Sequence, residues 1–236
     1  KNSRTEQFCR LLWEKLNKKT KLIIRSDAFM SLYGHTRGGE GIVMISGTGA
    51  MGLARDKSGL LHTVGGWGRL TGDEGSGYYI ALSGIKAALR EYDGIGEKTA
   101  LTHLIAQYFG CDKIRELIDI FYSSNPPDIA PFSEVVSQQA QLGDAVCKKI
   151  LHKASEYLAD YTKRLIKNLL TANPSYENKT VGIYGGVLTR NEIVRGEYER
   201  LLQLEYPELR VIVPSVGPEE AAALYVRDNF ISEAEL

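Results

Sequence analysis

The 236-residue sequence has no excess charge, no cysteine pair and no long apolar run, and each absence counts against a class of protein. Its 29 basic residues balance 29 acidic ones, so the chain lacks the positive field with which proteins bind the phosphate backbone of nucleic acids. No stretch approaches the about 18 uninterrupted apolar residues of a membrane-spanning helix. We therefore expect no nucleic-acid partner and no membrane span.

The three cysteines give no sign of a disulfide framework or a metal cluster. Cys9, Cys111 and Cys147 are odd in number and form no CxxC pair, a pattern typical of free thiols in a reducing compartment. The sequence starts at Lys1 without a methionine, as though upstream residues had been removed, and it shows no secretory signal. We expect a cytoplasmic protein.

The composition is otherwise that of a globular protein, and the order of its apolar patterns indicates an α/β fold. Short β-branched runs broken by glycine predict an early strand meander, whereas alternating strands and helices near the end predict parallel strands. Helical spacing dominates between them. The predicted strands are residues 22–24, 41–46, 51–55, 60–64, 180–184 and 209–213, and the predicted helices are residues up to 17, 28–32, 78–90, 99–109, 113–122, 132–142, 145–170, 192–202 and 219–229.

A glycine-flanked threonine follows the strand predicted at residues 41–46, in the run Ser46-Gly47-Thr48-Gly49. Because glycine has no Cβ, backbone N–H groups in such a turn can approach an anion closely, and the Thr48 hydroxyl can donate to a phosphate oxygen. A glycine-rich hairpin turn explains the same residues. The turn is a candidate phosphate loop, with a plain hairpin as the alternative.

Residues 65–77, GGWGRLTGDEGSG, combine six glycines with a tryptophan and two adjacent acids. Asp73 and Glu74 precede a predicted helix, where they could simply cap its N-terminus. The segment holds more than a cap needs, however, and an aromatic face with carboxylates suits a carbohydrate ring and its hydroxyls. This segment is therefore a candidate carbohydrate site.

Three further places combine an ordinary helix start with a candidate binding role. Asp27 lies between a predicted strand and a predicted helix, where an N-cap is its usual role. The pair Gly185-Gly186 follows a strand at the end where parallel sheets bind nucleotides, and its missing Cβ atoms would let adenine or ribose lie against the backbone. Gly217-Pro218-Glu219-Glu220 opens the last helix, where acids also favour the helix dipole.

Taken in this order, the residues resemble the N-acetylglucosamine kinase group of the actin, hexokinase and heat-shock-70 ATPase superfamily, also grouped as BadF/BadG/BcrA/BcrD-type ATPases. The resemblance extends over roughly residues 22–229. Its most specific part is Gly66-Trp67-Gly68 followed by Gly72-Asp73-Glu74-Gly75-Ser76. The other segments are Ser26-Asp27-Ala28, the second phosphate motif at residues 46–49 and the adenosine motif at residues 185–191.

The resemblance implies an α/β fold: a ribonuclease-H-like lobe of the actin/hexokinase type, with a mixed sheet, flanking helices and a helical insertion at about residues 98–145. It also implies phosphorylation of an amino sugar at a hydroxyl, with ATP and Mg²⁺ as cofactors and Asp27 as general base. Such a site suits phosphoryl transfer, because positioning and charge neutralisation supply most of the rate. Gly47, Thr48 and Gly49 would hold the phosphate, Gly66, Trp67, Asp73 and Glu74 the sugar, and Gly185, Gly186, Asn191, Gly217 and Glu220 the adenosine.

Departures from the family pattern bear on these expectations. Ala50 stands where a serine is frequent, which removes one phosphate donor, and Pro218 gives the last helix an unusual entrance. Residues 1–26 lack the aspartate- and glycine-rich phosphate loop that opens the first lobe of such enzymes. We therefore expect a helix left from that lobe at residues 1–20, the second lobe at residues 21–229 and a tail at residues 230–236.

Two alternative functions stay open on the sequence. Dehydratase activators of the same superfamily drive a partner enzyme with ATP through an iron–sulfur cluster shared by a dimer, and no cysteine here has a suitable neighbour for that cluster. A chain without the first lobe could also be a folded but inactive fragment. Our leading interpretation is an amino-sugar kinase that forms a homodimer, and the sequence does not decide which amino sugar it uses.

Overall fold

The computed structural model describes residues 3–16, 23–177 and 179–230. Over these ranges the chain forms five strands, ten α-helices and a 3₁₀ turn at Ile114–Glu116. The strands are β1 (Gly41–Ser46), β2 (Ala50–Arg55), β3 (Leu61–Gly65), β4 (Thr180–Tyr184) and β5 (Arg210–Ile212). The helices are α1 (Ser3–Lys15), α2 (Asp27–Thr36), α3 (Gly77–Tyr92), α4 (Leu101–Phe109), α5 (Leu117–Phe121), α6 (Phe132–Gln141), α7 (Ala145–Ala172), α8 (Gly186–Arg190), α9 (Glu192–Gln203) and α10 (Pro218–Phe230).

The five strands of the described residues form one mixed sheet in the order β3-β2-β1-β4-β5. The first three pair antiparallel as a meander, with Ile45 opposite Met51 and Met51 opposite Gly65. β4 pairs parallel with β1, and β5 pairs parallel with β4. These pairings confirm both the meander and the parallel ending. The ending is parallel because strands separated by a helix in sequence return to the sheet in the same direction.

Helices cover both faces of the sheet. On one face, α3, α7 and α9 bury the larger core, in which Ile42 and Met44 of β1 are fully buried. On the other face, α2 packs over a smaller cluster that contains Ala28, Val43 and Leu53, and α10 packs against α2. Successive β1 side chains thus serve opposite faces, as the two-residue period of a strand requires.

The longest helix, α7, supports much of the larger core. Leu158, Leu165 and Leu169, which the helical spacing places on one stripe, are all fully buried. The remaining faces of the helix carry charged side chains toward solvent. Among the helices of the described ranges, none has the combined length and apolarity needed to cross a membrane.

The predicted helical insertion is present and contains α4, α5 and α6. Its helices pack through aromatic rings, with the Phe109 centroid 5.0 Å from that of Phe121 and 5.7 Å from that of Phe132. Asp144 caps α7 and also accepts hydrogen bonds from the Thr99 hydroxyl (2.8 Å) and the Ala100 amide (2.7 Å). This carboxylate ties the beginning of the insertion to its end.

Some local predictions were wrong. Ile23 and Ile24 do not form a strand, and Leu22 of that predicted strand lies outside the described residues. A three-residue apolar run is too short for its period to separate a strand from an extended segment. The short helix α8, which begins directly after Gly185, was not predicted; there the Gly185 carbonyl accepts hydrogen bonds from both the amide and the hydroxyl of Thr189.

Candidate active site

Three loops leave the sheet at the same end. Because β4 is parallel to β1, the segment after Tyr184 emerges beside the turn that follows Ser46. Because β3 is antiparallel to β2, the end of β3 lies at this edge as well, and the Gly66 amide donates to the Ala50 carbonyl (3.0 Å). The segments predicted to bind phosphate, sugar and adenosine therefore emerge at one end of the sheet, where open α/β sheets bind ligands.

The turn at residues 47–49, the phosphate loop from here on, is held by its carbonyl groups. The amides of Gly77 and Tyr78 in the first turn of α3 donate to the carbonyls of Gly47 (2.7 Å) and Thr48 (3.3 Å). In the part of the chain that the structure describes, the amides of Thr48 and Gly49 donate no hydrogen bond, and the Thr48 side chain is exposed. The phosphate loop thus presents open backbone donors and a hydroxyl, an arrangement that can bind an anion.

The phosphate loop is fastened to residues 65–77 by Ser46. The Ser46 hydroxyl is fully buried and donates to the Gly75 carbonyl (2.8 Å). Gly75 has a positive φ of 84°, and a Cβ on it would lie 2.6 Å from Cγ of Leu158. Ser76 caps α3 by accepting from the Tyr79 amide (3.1 Å). The alternative of Asp73 and Glu74 as the caps of this helix is therefore wrong.

The Asp73 carboxylate faces the phosphate loop. A Cβ on Gly49 would lie 2.9 Å from Oδ2 of Asp73, and the Asp73 residue is only 9% exposed. Its backbone is left-handed, with φ at 60°, and the described residues offer its carboxylate no hydrogen bond or ion pair. A left-handed backbone is unfavourable for a residue other than glycine, and a carboxylate without a hydrogen-bond partner can accept from a ligand, so this side chain is a candidate binding group.

The other residues predicted to bind sugar differ in their surroundings. The Trp67 side chain is 78% exposed, so its ring face is open to solvent. A Cβ on Gly66 would lie 3.2 Å from Cβ of Met51. Glu74 accepts a hydrogen bond from the hydroxyl of Tyr161 on α7, and burial together with this carboxylate raises the pKa of Tyr161. Glu74 therefore has a structural partner, whereas Trp67 is free to cover a ring.

The two glycines of the adenosine motif have different roles. Gly185 has a φ of 84°, and a Cβ on it would lie 2.8 Å from the amide nitrogen of Gly47 and closer still to the Ser46 carbonyl. Its missing Cβ therefore admits the phosphate loop and not a nucleotide. A Cβ on Gly186 would meet nothing within 4 Å. Gly186 is the position where the backbone is open to a ligand.

The side-chain amide of Asn191 is fixed by hydrogen bonds at both its oxygen and its nitrogen. Its Oδ1 accepts from the Val194 amide (3.0 Å), which makes it the N-cap of α9. Its Nδ2 donates to the Ser137 hydroxyl of α6 (2.7 Å). The sequence predicted the helix start at Asn191 but not the contact with the insertion.

A cavity of about 580 Å³ unites the phosphate loop with the adenosine motif. Gly47, Thr48, Gly186 and Asn191 all line it. Its opposite wall, the insertion wall, consists of α6 and the loop before it, which sequence analysis missed. The lining residues of the insertion wall are Asp128, Ala130, Pro131, Ser133, Glu134, Ser137, Gln138 and Gln141.

The residues of the insertion wall gave only a weak signal in the sequence. The buried face of α6 is formed by Phe132, Val136 and Ala140, and polar residues between such positions are typical of a solvated helix surface. The row of Ser133, Ser137 and Gln141, four residues apart, was the available hint, and on its own it does not distinguish a cavity wall from a surface.

Two predicted adenosine residues, Gly217 and Glu220, do not line this cavity. They lie where α10 begins, next to the Val216 carbonyl that accepts a hydrogen bond from the Tyr184 hydroxyl (3.0 Å). The Gly217 carbonyl accepts from the Ala221 amide (2.9 Å) in the ordinary manner of a first helical turn. The helix-start interpretation explains both residues.

Asp27 is the exposed first residue of α2. Ser26 is the N-cap, accepting from the Phe29 amide (3.1 Å), while Oδ1 of Asp27 accepts from the Ala28 amide (2.8 Å). Phe29, two residues after Asp27, packs against the same small cluster as Met51 of β2. No contact between Asp27 and Thr48 or Asp73 is found within the described ranges, so the role of Asp27 stays a prediction.

The described cysteines do not support a metal cluster. Cys111 and Cys147 are unpaired, and burial raises the pKa of the Cys147 thiol to about 12, which keeps it protonated. In the ranges that the structure describes, no three His, Cys, Asp or Glu side chains are grouped to hold a metal ion. The activator interpretation therefore gains no support from the structure.

A mixed sheet of ribonuclease-H-like order, with its glycine loops gathered at one end beside a helical insertion, is the architecture of an actin/hexokinase-type ATPase lobe. A solved structure from Chromobacterium violaceum, named as a candidate N-acetylglucosamine kinase, matches this fold with a TM-score of 0.74 at 21% identity, over 94% of this chain and 72% of that one. The chain belongs to the BadF/BadG/BcrA/BcrD ATPase family, whose model matches residues 4–225.

Curated relatives of the chain are named as amino-sugar kinases. The chain is 37% identical over 196 residues to the N-acetylmuramic acid/N-acetylglucosamine kinase of Clostridium acetobutylicum, a match covering 81% of this chain and 62% of that protein. It is 32% identical over 216 residues to the N-acetyl-D-glucosamine kinase of Dictyostelium discoideum, covering 89% of this chain and 67% of that protein. The chain thus spans about two thirds of the length of these relatives.

Proposed function

We propose that the protein is an ATP-dependent kinase that phosphorylates an amino sugar of the N-acetylglucosamine or glucosamine type at a hydroxyl. One observation carries the proposal: the Asp73 carboxylate, which has no hydrogen-bond partner among the described residues, lies against the phosphate loop that also lines the cavity with Gly186 and Asn191. An acceptor for sugar hydroxyls and a site for a nucleotide thus share one loop. The names of the curated relatives support this substrate class.

In this proposal ATP occupies the cavity. Its transferring phosphate lies at the phosphate loop, where the open amides and the Thr48 hydroxyl donate to phosphate oxygens. Its ribose and adenine extend past Gly186, where no Cβ obstructs them. The amide donors are fixed in advance by the bonds from α3, so binding requires little reorganisation of the loop.

The sugar lies beside the same loop, within reach of Asp73. The Asp73 carboxylate accepts hydroxyl hydrogen bonds, which supplies the partner that it lacks within the described residues. The exposed Trp67 ring covers an apolar face of the sugar. Glu74 acts indirectly, because its bond to Tyr161 holds this segment against α7.

Asp27 serves as general base in this scheme. It accepts the proton of the attacking sugar hydroxyl, whose oxygen forms a bond to the γ-phosphorus while the bond to the β–γ bridging oxygen breaks and ADP leaves. Oδ1 already accepts from the Ala28 amide, which leaves Oδ2 for the hydroxyl proton.

Mg²⁺ belongs to the proposal through the chemistry of ATP. This ion takes few protein ligands and draws most of the others from phosphates and water, so it does not need a dedicated cluster of acids. The Thr48 hydroxyl and the Asp73 carboxylate are oxygen donors of the kind it prefers. When bound with ATP, Mg²⁺ neutralises phosphate charge.

The test is a coupled assay of ADP release with ATP and a panel of glucosamine, N-acetylglucosamine and N-acetylmuramic acid, using the full-length protein. Asp27→Asn should lower kcat by about 10² to 10⁴, the range typical of a lost general base, with thermal stability unchanged because Ser26 remains the cap of α2. Asp160→Asn, at an exposed acid on α7, is the matched control.

Two outcomes would contradict the proposal at different points. Turnover that survives in the Asp27→Asn variant would remove Asp27 from the chemistry and leave the kinase assignment intact. Absence of ADP release with every sugar, in protein that is folded, would overturn the assignment itself. A cytoplasmic location and a homodimer are further parts of the proposal, and sedimentation velocity checks the second.

A further inference from the structure

Within the described residues, a single side-chain hydrogen bond joins the insertion wall of the cavity to the adenosine motif. It joins Nδ2 of Asn191 to the hydroxyl of Ser137, 2.7 Å apart. The two residues are 54 positions apart in sequence and lie on helices of different parts of the lobe. This bond therefore holds two walls that otherwise meet the cavity from opposite sides.

Both partners of this bond are oriented by a second hydrogen bond. The Ser137 hydroxyl donates its proton to the Ser133 carbonyl (2.8 Å), so it is left as an acceptor toward Asn191. The Oδ1 of Asn191 accepts from the Val194 amide (3.0 Å), so the amide cannot rotate without losing the cap of α9. The bond thus has one orientation only.

The position of Ser137 along α6 shows where on the cavity wall the bond lies. Ser133 lies at the phosphate end, because a Cβ on Gly77 would be 3.3 Å from its hydroxyl and the Gly77 amide binds the Gly47 carbonyl. An α-helix rises about 1.5 Å per residue, so Ser137 lies about 6 Å farther along α6 than Ser133. The bond therefore joins the two walls one helical turn away from the contact between α6 and the phosphate-loop end of the cavity.

We infer that Ser137 is a positioning residue for the nucleotide: it holds Asn191 and so sets the width of the cavity at its ribose end. The inference rests on the proposed use of this cavity for ATP. Without the bond, α6 loses its side-chain link to the α8–α9 segment, and the nucleotide must order the two walls as it binds. Proton transfer, proposed for Asp27, and sugar binding, proposed for Asp73, do not depend on this bond.

The test compares Ser137→Ala with Ser137→Thr in the full-length protein, using calorimetric titration with ADP and steady-state kinetics. Ser137→Ala should raise the dissociation constant of ADP and the KM for ATP about threefold to tenfold, the value of one neutral hydrogen bond. The kcat and the KM for the sugar should not change. Ser137→Thr keeps a hydroxyl and should restore nucleotide affinity.

A matched control and a double variant separate positioning from general loosening. Thr171→Ala removes a hydroxyl that, like that of Ser137, donates to the carbonyl four residues earlier, but at the exposed end of α7. Asn191→Ser retains a capping hydroxyl for α9 but is too short to reach α6. If Ser137 acts through Asn191, the double variant Ser137→Ala with Asn191→Ser should bind ADP no more weakly than Asn191→Ser alone.

The outcomes distinguish this inference from the proposed function. Wild-type affinity in Ser137→Ala, or strictly additive losses in the double variant, would overturn the inference and leave the kinase proposal standing. Failure of the wild-type protein to bind ADP at all would overturn both. A fall in kcat with unchanged nucleotide affinity would also contradict it, because the effect would then lie in the chemistry and not in the nucleotide site.

Discussion

Two hairpin turns of the same meander differ in how their polar groups are satisfied. At the turn after β2, the Asp56 carboxylate accepts from the amides of Ser58 (2.9 Å) and Leu60 (3.0 Å), from the Ser58 hydroxyl (2.6 Å) and lies 2.9 Å from Nε2 of His62. At the phosphate loop, on the opposite end of the sheet, two amides have no partner in the described structure, and neither does the adjacent Asp73 carboxylate.

The contrast separates a structural turn from a site. A turn that satisfies its own donors and acceptors stabilises the hairpin and has nothing left to offer a ligand. A turn that leaves backbone donors open, next to an unpaired acid on a left-handed backbone, is less stable than a turn with all of its groups satisfied. The groups that it leaves open are the ones that can bind a ligand. Substitutions at the two turns should therefore act in opposite ways on stability and activity.

The largest expected effect comes from the backbone support of the open turn. Gly185→Ala should lower the free energy of unfolding by at least about 2 kcal/mol, because its Cβ would meet the Ser46 carbonyl and the residue has a positive φ. Gly186→Ala is the matched control and should change stability by less than about 1 kcal/mol, since its Cβ meets nothing. Urea denaturation measures both, and equal stability of the two variants would contradict the assigned packing.

The second prediction concerns Asp73, where the KM for the sugar and the free energy of unfolding should respond differently. Asp73→Asn keeps the shape and tolerates the left-handed backbone, so the free energy of unfolding should change by less than about 1 kcal/mol. The KM for the sugar should rise on the order of tenfold to a hundredfold, the value of a hydrogen bond to a charged group. Urea denaturation measures the free energy of unfolding, and steady-state kinetics measures the KM for the sugar. A less stable variant with normal kinetics would mean that Asp73 is structural.

The smallest effect belongs to the self-satisfied turn, and it depends on pH. The Ser58 hydroxyl, followed by His62, lowers the pKa of Asp56 to about 2 from its ordinary 3.8. Because the folded-state pKa is depressed, the stabilisation is complete above about pH 4 and is lost as the pH falls toward 2.

Asp56→Asn should therefore lower the urea midpoint at pH 7, and the difference from wild type should shrink as the pH falls below 4. Kinetic constants at pH 7 should be unchanged. A difference from wild type that stays constant between pH 7 and pH 2 would show that the charge of Asp56 does not stabilise the turn. Asp160→Asn again serves as the control for a surface acid.

Much of the fold followed from local patterns in the sequence. The strands at residues 41–46 and 180–184 were predicted because β-branched runs ended in glycine, and α7 because its leucines fall on one stripe. The phosphate loop was recognisable for the same reason, since glycines around a hydroxyl are local. Contacts that depend on the packing of distant segments were not predictable.

The site shows this limit most clearly. Nothing in the spacing of Gly185 and Gly186 revealed that one admits the phosphate loop and the other faces the cavity, because only the approach of Ser46 distinguishes them. Ser137 was indistinguishable from other polar residues of an amphipathic helix until α6 was placed opposite Asn191. For Asp73 and Glu74 the sequence suggested capping as an alternative, and the position of Ser76 decided against it.

Helix α7 underlies the sugar segment from behind, at Leu158 beneath Gly75 and at Tyr161 bonded to Glu74. These two side chains pack against the segment of glycines and acids and fix its position on the helix. Under the proposed function, exchange of one large side chain for another on this face of α7 would shift the segment without altering the segment's own residues. Sugar preference would then respond to substitutions on α7, which a comparison confined to the proposed binding residues would not detect.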